Sequence, residues 1–245
     1  MFDYLLPYLL IMAHFASGVF WLILINRKIT TVSKREQWTK FIVYVLLFNL
    51  IWYSIVSSDS LFPLFGYLLI ALGSWEWWKA TRKNRYKIWL IIVFIIVMAG
   101  FWRFLYLGKN EILFTFFVVV LFDGSCQIAG QLIGKRPLAP KVSPRKTVEG
   151  LFGGALITLA TSFLVKGAFS LGWIELILIT GLILITAGVG DLLASLVKRN
   201  ANIETYSNLI PGHGGILDRF DSLFLAGSAV YLFMEFTHFF PWTTM

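Results

Sequence analysis

The chain has one cysteine, Cys126, so neither an intramolecular disulfide nor a cysteine-cluster metal site can form. Charge is nearly as scarce. Asp, Glu, Lys and Arg make up 14% of the 245 residues, against 58% hydrophobic residues. A soluble domain of this length could not cover so much apolar surface, which leaves a polytopic membrane protein. Internal repeats, low-complexity tracts and a soluble domain are also missing. The fold class that remains is all-α, a single membrane domain over residues 1–245.

What is present is a series of apolar segments at roughly 5–25, 41–57, 61–80, 88–107, 112–134, 149–169, 173–197 and 217–240. Each has about the ~20 residues a spanning helix needs, giving about eight transmembrane helices. Aromatic residues, 17% of the chain, gather near segment ends, as at Trp75, Trp77, Trp78, Trp89, Trp173 and Trp242. That is the pattern of interfacial belts. The first segment has no basic leader and is followed at once by Arg27 and Lys28, so it reads as a retained anchor with its N-terminus outside.

The net charge of +8 would suit a nucleic-acid binder, but its placement reports topology instead. All of the 21 Lys and Arg residues except Arg103, Lys109 and Lys166 lie in alternate connections, around 27–40, 79–87, 135–146 and 198–219. Positive charge concentrates on the cytoplasmic side of short loops, so these connections are expected to face the cytoplasm. The same basic surface suits anionic membrane lipids, and no nucleic acid is expected as a partner.

Polar chemistry gathers in the cytoplasm-facing part of the C-terminal half. Asp191 lies inside an apolar segment, where an ionisable residue is costly and a functional candidate by default. If the helix continues, Asp191, Ser195 and Lys198 share one face, and Arg199 follows. The stretch PGHGGILDRFD (211–221) then supplies Gly212, Gly214 and Gly215, which let the backbone approach a ligand closely. Its His213 is either structural or ligand-facing. Asp218 and Asp221, three residues apart, are hard oxygen ligands suited to Mg²⁺ and substrate phosphates, while Arg219 projects to another face, toward a phosphate.

Three other features admit two readings each. Asp123, followed by Gly124, Ser125, Cys126 and Gln127, is either a site carboxylate or a buried Asp bonded to Ser or Gln on neighbouring helices. Ser143 before Pro144 reads as a helix N-cap with proline at the first helical position, which would turn the amides of Arg145, Lys146 and Thr147 toward an anion. The alternative is a solvated, positive-inside loop. Glu76, in SWEWWK, is read first as an interfacial residue beside basic neighbours and second as facing the site.

SLVKR (195–199) and LIPGHGGILDRFD (209–221) closely resemble the signature of the phosphatidate cytidylyltransferases, or CDP-diacylglycerol synthases. VSPRKTVEG (142–150) resembles that family's second hallmark, with LIGK (132–135) before it. The resemblance implies that CTP and phosphatidic acid react to CDP-diacylglycerol and pyrophosphate with a divalent cation, Mg²⁺ or Mn²⁺. It leaves room for a second metal ion and a homodimer, and implies a multi-pass protein of the bacterial inner membrane whose site faces the cytoplasm. Carried over by position, Asp191, Asp218 and Asp221 are the metal-binding and catalytic carboxylates, with Lys198 and Arg219 as catalytic cations. Ser143, Lys146, Thr147, Ser195, Arg199, His213, Gly214, Gly215 and Asp123 are the substrate-binding set.

The chain departs from the family's pattern at Glu204 and Thr205, where Lys-Asp is usual, at Ser207 in place of glycine, at Val148 in place of tryptophan, and over Asp123–Gln127. If Glu204 faces the site, Glu204→Lys is expected to lower one apparent KM severalfold. If it faces water, little should change. Rival readings are a CTP-using kinase of polyprenol-type alcohols, a cytidylyltransferase for another lipid phosphate, and a cation-coupled transporter.

Overall fold

The computed structural model describes residues 4–26, 31–212 and 214–239. Among these the chain forms eight α-helices: α1 (Leu5–Asn26), α2 (Thr31–Ser57), α3 (Leu61–Thr81), α4 (Lys87–Phe104), α5 (Lys109–Ile133), α6 (Val148–Val165), α7 (Trp173–Asn200) and α8 (Leu217–Phe239). Two short strands, β1 (Pro137–Ala139) and β2 (Ser143–Thr147), lie between α5 and α6. Each helix coincides with one apolar segment of the sequence. The largest shift is in α2, which starts at Thr31 and not at 41, so Arg35 and Lys40 ride on its first turns. Arg27 and Lys28 lie outside the described residues.

Five stretches are long and apolar enough to cross a membrane: Gln37–Ser57, Lys87–Phe104, Lys109–Ile133, Val148–Phe169 and Trp173–Asn200. Leu5–Phe20 is a shorter apolar helix. The protein is therefore all-α and polytopic, as its composition requires.

The core is built around α5, where every residue from Ile112 to Phe122 is buried. A helix that is apolar on all sides belongs inside a bundle, and α1, α2, α6, α7 and α8 all pack on this one. Aromatic contacts fasten the N-terminal helices to it. Phe48 of α2 lies 5.2 Å from Phe15 of α1 and 5.5 Å from Phe116 of α5, ring centre to ring centre. By contrast Ile88, Trp89, Val93, Ile95 and Ile96 of α4 are exposed, as lipid-facing side chains are.

The packing of α7 on α8 positions the chemistry. A Cβ on Gly190 would come within 2.7 Å of the Asp221 carbonyl oxygen, so only glycine lets the two helices approach this closely. The carboxylate-bearing Asp191 follows directly, one position away from that contact.

The hairpin corrects the sequence reading of Ser143. Residues Ser143–Thr147 are not the start of a helix: they pair antiparallel with β1, Ala139 opposite Ser143 and Pro137 opposite Thr147. A residue before proline is driven to extended conformations, and a two-stranded ribbon has only edges, where proline is tolerated. The helix cap is Thr147 (φ −119°, ψ 152°), whose hydroxyl accepts a hydrogen bond from the Gly150 amide at 3.1 Å. The amides of Arg145, Lys146 and Thr147 consequently belong to a strand and not to a helix N-terminus.

Candidate active site

Three pieces of chain meet at the end of α7: the hairpin, the last turns of α7, and the connection into α8. Lys146 of β2 donates through Nζ to Asp191 Oδ2 of α7, an ion pair that ties hairpin to helix. Arg199 Nε donates to the Val142 carbonyl at 3.1 Å and holds the hairpin's tip. The hairpin's base is closed by Glu149, which accepts from the amides of Lys135 and Arg136, both at 3.0 Å, and from Arg136 Nε at 2.9 Å. Ser143 and Thr147 are half-buried within this ribbon, and Ser195 is buried on α7 between Asp191 and Lys198.

The helical reading of α7 holds through Asn200, yet its charges point to different partners. Lys198 Nζ lies 2.7 Å from Asp218 Oδ1, with the two side chains only 14% and 5% exposed. Asp218 Oδ2 accepts from the amides of Tyr206 at 2.8 Å and Gly215 at 2.9 Å. Both oxygens of this carboxylate are thus engaged in holding the connection together. Tyr206 completes the arrangement by donating its hydroxyl to the Ala194 carbonyl at 2.9 Å. Burial raises the pKa of that phenol, and Asp221, Asp218 and Glu76 raise it further, so it stays a protonated donor.

Gly214 (φ +91°) occupies a conformation that other residues rarely adopt, and a Cβ on it would lie 2.7 Å from Asp218 Oδ2. The turn is closed by reciprocal bonds between Ile210 and Gly214, at 2.8 and 3.2 Å. His213, at its centre, lies outside the described residues.

Asp123, Asp191 and Asp221 lie within electrostatic reach of one another, joined by Lys146, with Lys198 acting on Asp221 and Arg219 on Asp123. Asp221 accepts the Ser222 amide at 2.8 Å, and Arg219 is exposed. Asp123 faces this group from α5, as does Tyr44 of α2, which feels both Asp123 and Arg219. Among the described residues no three acidic, cysteine or histidine side chains converge closely enough to hold a metal ion unaided. Two ammonium groups, Lys146 and Lys198, stand against the carboxylates instead.

Glu76 departs from the first of its two sequence readings. It is fully buried, not interfacial. Its carboxylate accepts from Ser207 Oγ at 2.5 Å, Ile216 N at 3.0 Å and Leu217 N at 2.8 Å. The basic neighbour Lys79 turns away to lie over the Trp75 ring. The signal was one carboxylate among apolar residues, which periodicity alone cannot aim. Ser207, a departure from the expected motif, is accounted for as one of its donors. The amides of Gly215, Ile216 and Leu217 are all taken by Asp218 and Glu76, so this turn does not present them to a phosphate as its glycines suggested.

Glu204 is exposed and makes no ion pair among the described residues. An exposed charge of this kind contributes little. Glu204→Lys is therefore expected to leave both apparent KM values within about twofold, which steady-state kinetics with each substrate varied separately would check.

The family model described as the cytidylyltransferase family matches residues 4–237. A phosphatidate cytidylyltransferase of Rickettsia bellii is 35% identical over 193 residues, which cover 72% of this chain and 83% of that protein. The enzyme so named in Bacillus subtilis is 38% identical over 129 residues, 52% of this chain and 48% of its own length. That of Haemophilus influenzae is 37% identical over 141 residues, 55% and 48% respectively. The matched stretch thus spans most of the first relative and about half of the other two. With the whole helical body matched and the motif residues gathered at one end of α7, the chain belongs to the family of the phosphatidate cytidylyltransferases and is a nucleotidyltransferase.

Proposed function

We propose that the protein makes CDP-diacylglycerol and pyrophosphate from CTP and phosphatidic acid, in a bacterial inner membrane, with the hairpin and the α7–α8 connection facing the cytoplasm. The observation that carries this reading is the cluster of Asp123, Asp191 and Asp221 opposed by Lys146, Lys198 and Arg219. Two anionic reactants can meet only where their charge is neutralised and their geometry fixed. In the reaction a phosphate oxygen of phosphatidic acid bonds to the α-phosphorus of CTP, and the bond to the β-phosphate oxygen breaks. Lys146, half-buried in its ion pair, can exchange Asp191 for a phosphate, and Arg219, exposed and in no ion pair among the described residues, can meet another.

The donor set fits a divalent cation by its chemistry, since Asp191 and Asp221, with Asp123 beside them, are hard oxygen ligands of the kind Mg²⁺ or Mn²⁺ takes together with phosphates. Such an ion supplies charge neutralisation and alignment of the reacting phosphates. Asp218 already holds the Lys198 ammonium and two backbone amides. Its part in this proposal is to hold the connection that carries Arg219 and Asp221.

The test is to incubate the purified protein with CTP, Mg²⁺ and phosphatidic acid, with the label on the α- or the γ-phosphorus. Label from the α-position in the lipid phase, with pyrophosphate released, is the expected result. Label transferred from the γ-position would make the protein a kinase and overturn the proposal.

A further inference from the structure

We infer that Glu76 of α3 is a positioning residue for the transfer site, fixing the start of α8 and with it Arg219 and Asp221. The inference rests on the function proposed above and extends it to the N-terminal half of the chain. Glu76 has no exposed surface and no cationic partner among the described residues. An isolated buried carboxylate is costly unless hydrogen bonds satisfy it. Here the bonds are supplied by the Ser207 hydroxyl and by the Ile216 and Leu217 amides, all from the α7–α8 connection or the first turn of α8. All three groups can donate, and the free amides of a helix N-terminus call for an acceptor, which the two carboxylate oxygens supply.

The geometry shows that the turn was shaped to admit this side chain. A Cβ on Gly215 would overlap the Glu76 carboxylate, so alanine there would force that side chain to shift. Adjacent glycines therefore serve different carboxylates, Gly214 making room for Asp218 and Gly215 for Glu76. Between them these two carboxylates take the amides of residues 206, 215, 216 and 217 and the hydroxyl of Ser207. Asp218 ties the connection to α7 through Lys198, whereas Glu76 ties it to α3. A cap serving helix stability alone would not need an acceptor from a helix more than 130 residues away in the chain. The arrangement instead sets the rotation and height of α8 against the bundle, and Asp221 lies one turn beyond the clamp.

Glu76→Gln keeps the size but turns an amide donor toward backbone N–H groups, and Glu76→Asp shortens the reach by one methylene. Each variant is compared with wild type as the full-length protein in detergent, by kcat and KM for CTP and by amide hydrogen exchange across 207–217. For Glu76→Gln the expected result is faster exchange in that segment and a fall of roughly 10- to 100-fold in kcat per folded molecule, with KM for CTP held within about twofold, because misplacement of reacting groups by ~1 Å costs about that much. Ser207→Gly should reduce kcat severalfold in wild type and add nothing in the Glu76→Gln background. If Glu76→Gln is not recovered as a monodisperse protein, Ser207→Gly and Glu76→Asp carry the same two readouts. A kcat per folded molecule within twofold of wild type, unchanged exchange over 207–217, or an equal Ser207→Gly effect in both backgrounds would overturn the inference. Exchange needs no substrate, so it reports on the clamp even if wild type fails to transfer CMP, a result that would count against the proposed function instead.

Discussion

Asp221→Asn should lower turnover about 10²- to 10³-fold while leaving the protein folded, the usual cost of removing one electrostatic contact to charge developing in a transition state. The separation of the two effects follows from the surroundings. Asp221 lies with Asp123 and Asp191 in a group of three carboxylates, and its one hydrogen bond among the described residues comes from the amide of the next residue, Ser222. Asparagine retains a carbonyl oxygen for that amide and removes one of three carboxylates whose ionised forms disfavour one another. Thermal stability in the absence of divalent ions should therefore be unchanged or slightly raised. The check is a rate assay paired with thermal unfolding of the same detergent preparation. Near-normal turnover at saturating Mg²⁺ would remove Asp221 from the reacting centre.

Asp218→Asn should behave differently, losing stability as well as activity. Its carboxylate is 5% exposed and takes one ammonium and two backbone amides. Asparagine offers one acceptor atom where two are used, so either Lys198 or the amides of Tyr206 and Gly215 face an N–H group. Breaking a buried ion pair from one side commonly costs ~3–5 kcal/mol, because the remaining charge is left unpaired. A fall in melting temperature of roughly 10 °C is expected for a chain of this size, together with loss of most turnover. Lys198→Met in the same background should recover part of the stability by removing the stranded ammonium, without restoring activity. Equal melting temperatures for Asp218→Asn and Asp221→Asn would show that the two carboxylates do not divide their roles in this way.

The variants are expected to differ although the two aspartates look alike in the sequence. Both sit three residues apart on one helix, and both match positions that the family resemblance assigns to metal. Spacing puts them on a common face but does not say which donors fold over each of them. That is decided by Tyr206 and Gly215, brought to Asp218 by a turn containing two glycines of positive φ. Lys146 is a parallel case: the loop was legible as basic, but its pairing with Asp191 depends on a hairpin that local rules did not anticipate. A Ser-Pro step fits the start of a helix and an extended strand equally well.

The apolar segments, the all-α class and the family were settled by the sequence alone. A spanning helix must satisfy its own backbone hydrogen bonds and be apolar along its length, so its signal is local and needs no partner. The motif at 195–221 is likewise contiguous and long enough to read directly. Only the tertiary structure decided what each polar group faces. Glu76 and Leu217 are 141 residues apart, yet 2.8 Å separates their bonded atoms, and Gly190 allows α7 and α8 to approach at the point where Asp191 nears Asp221. The energy of a buried charge depends on the donors that packing brings to it, and those donors come from elsewhere in the chain.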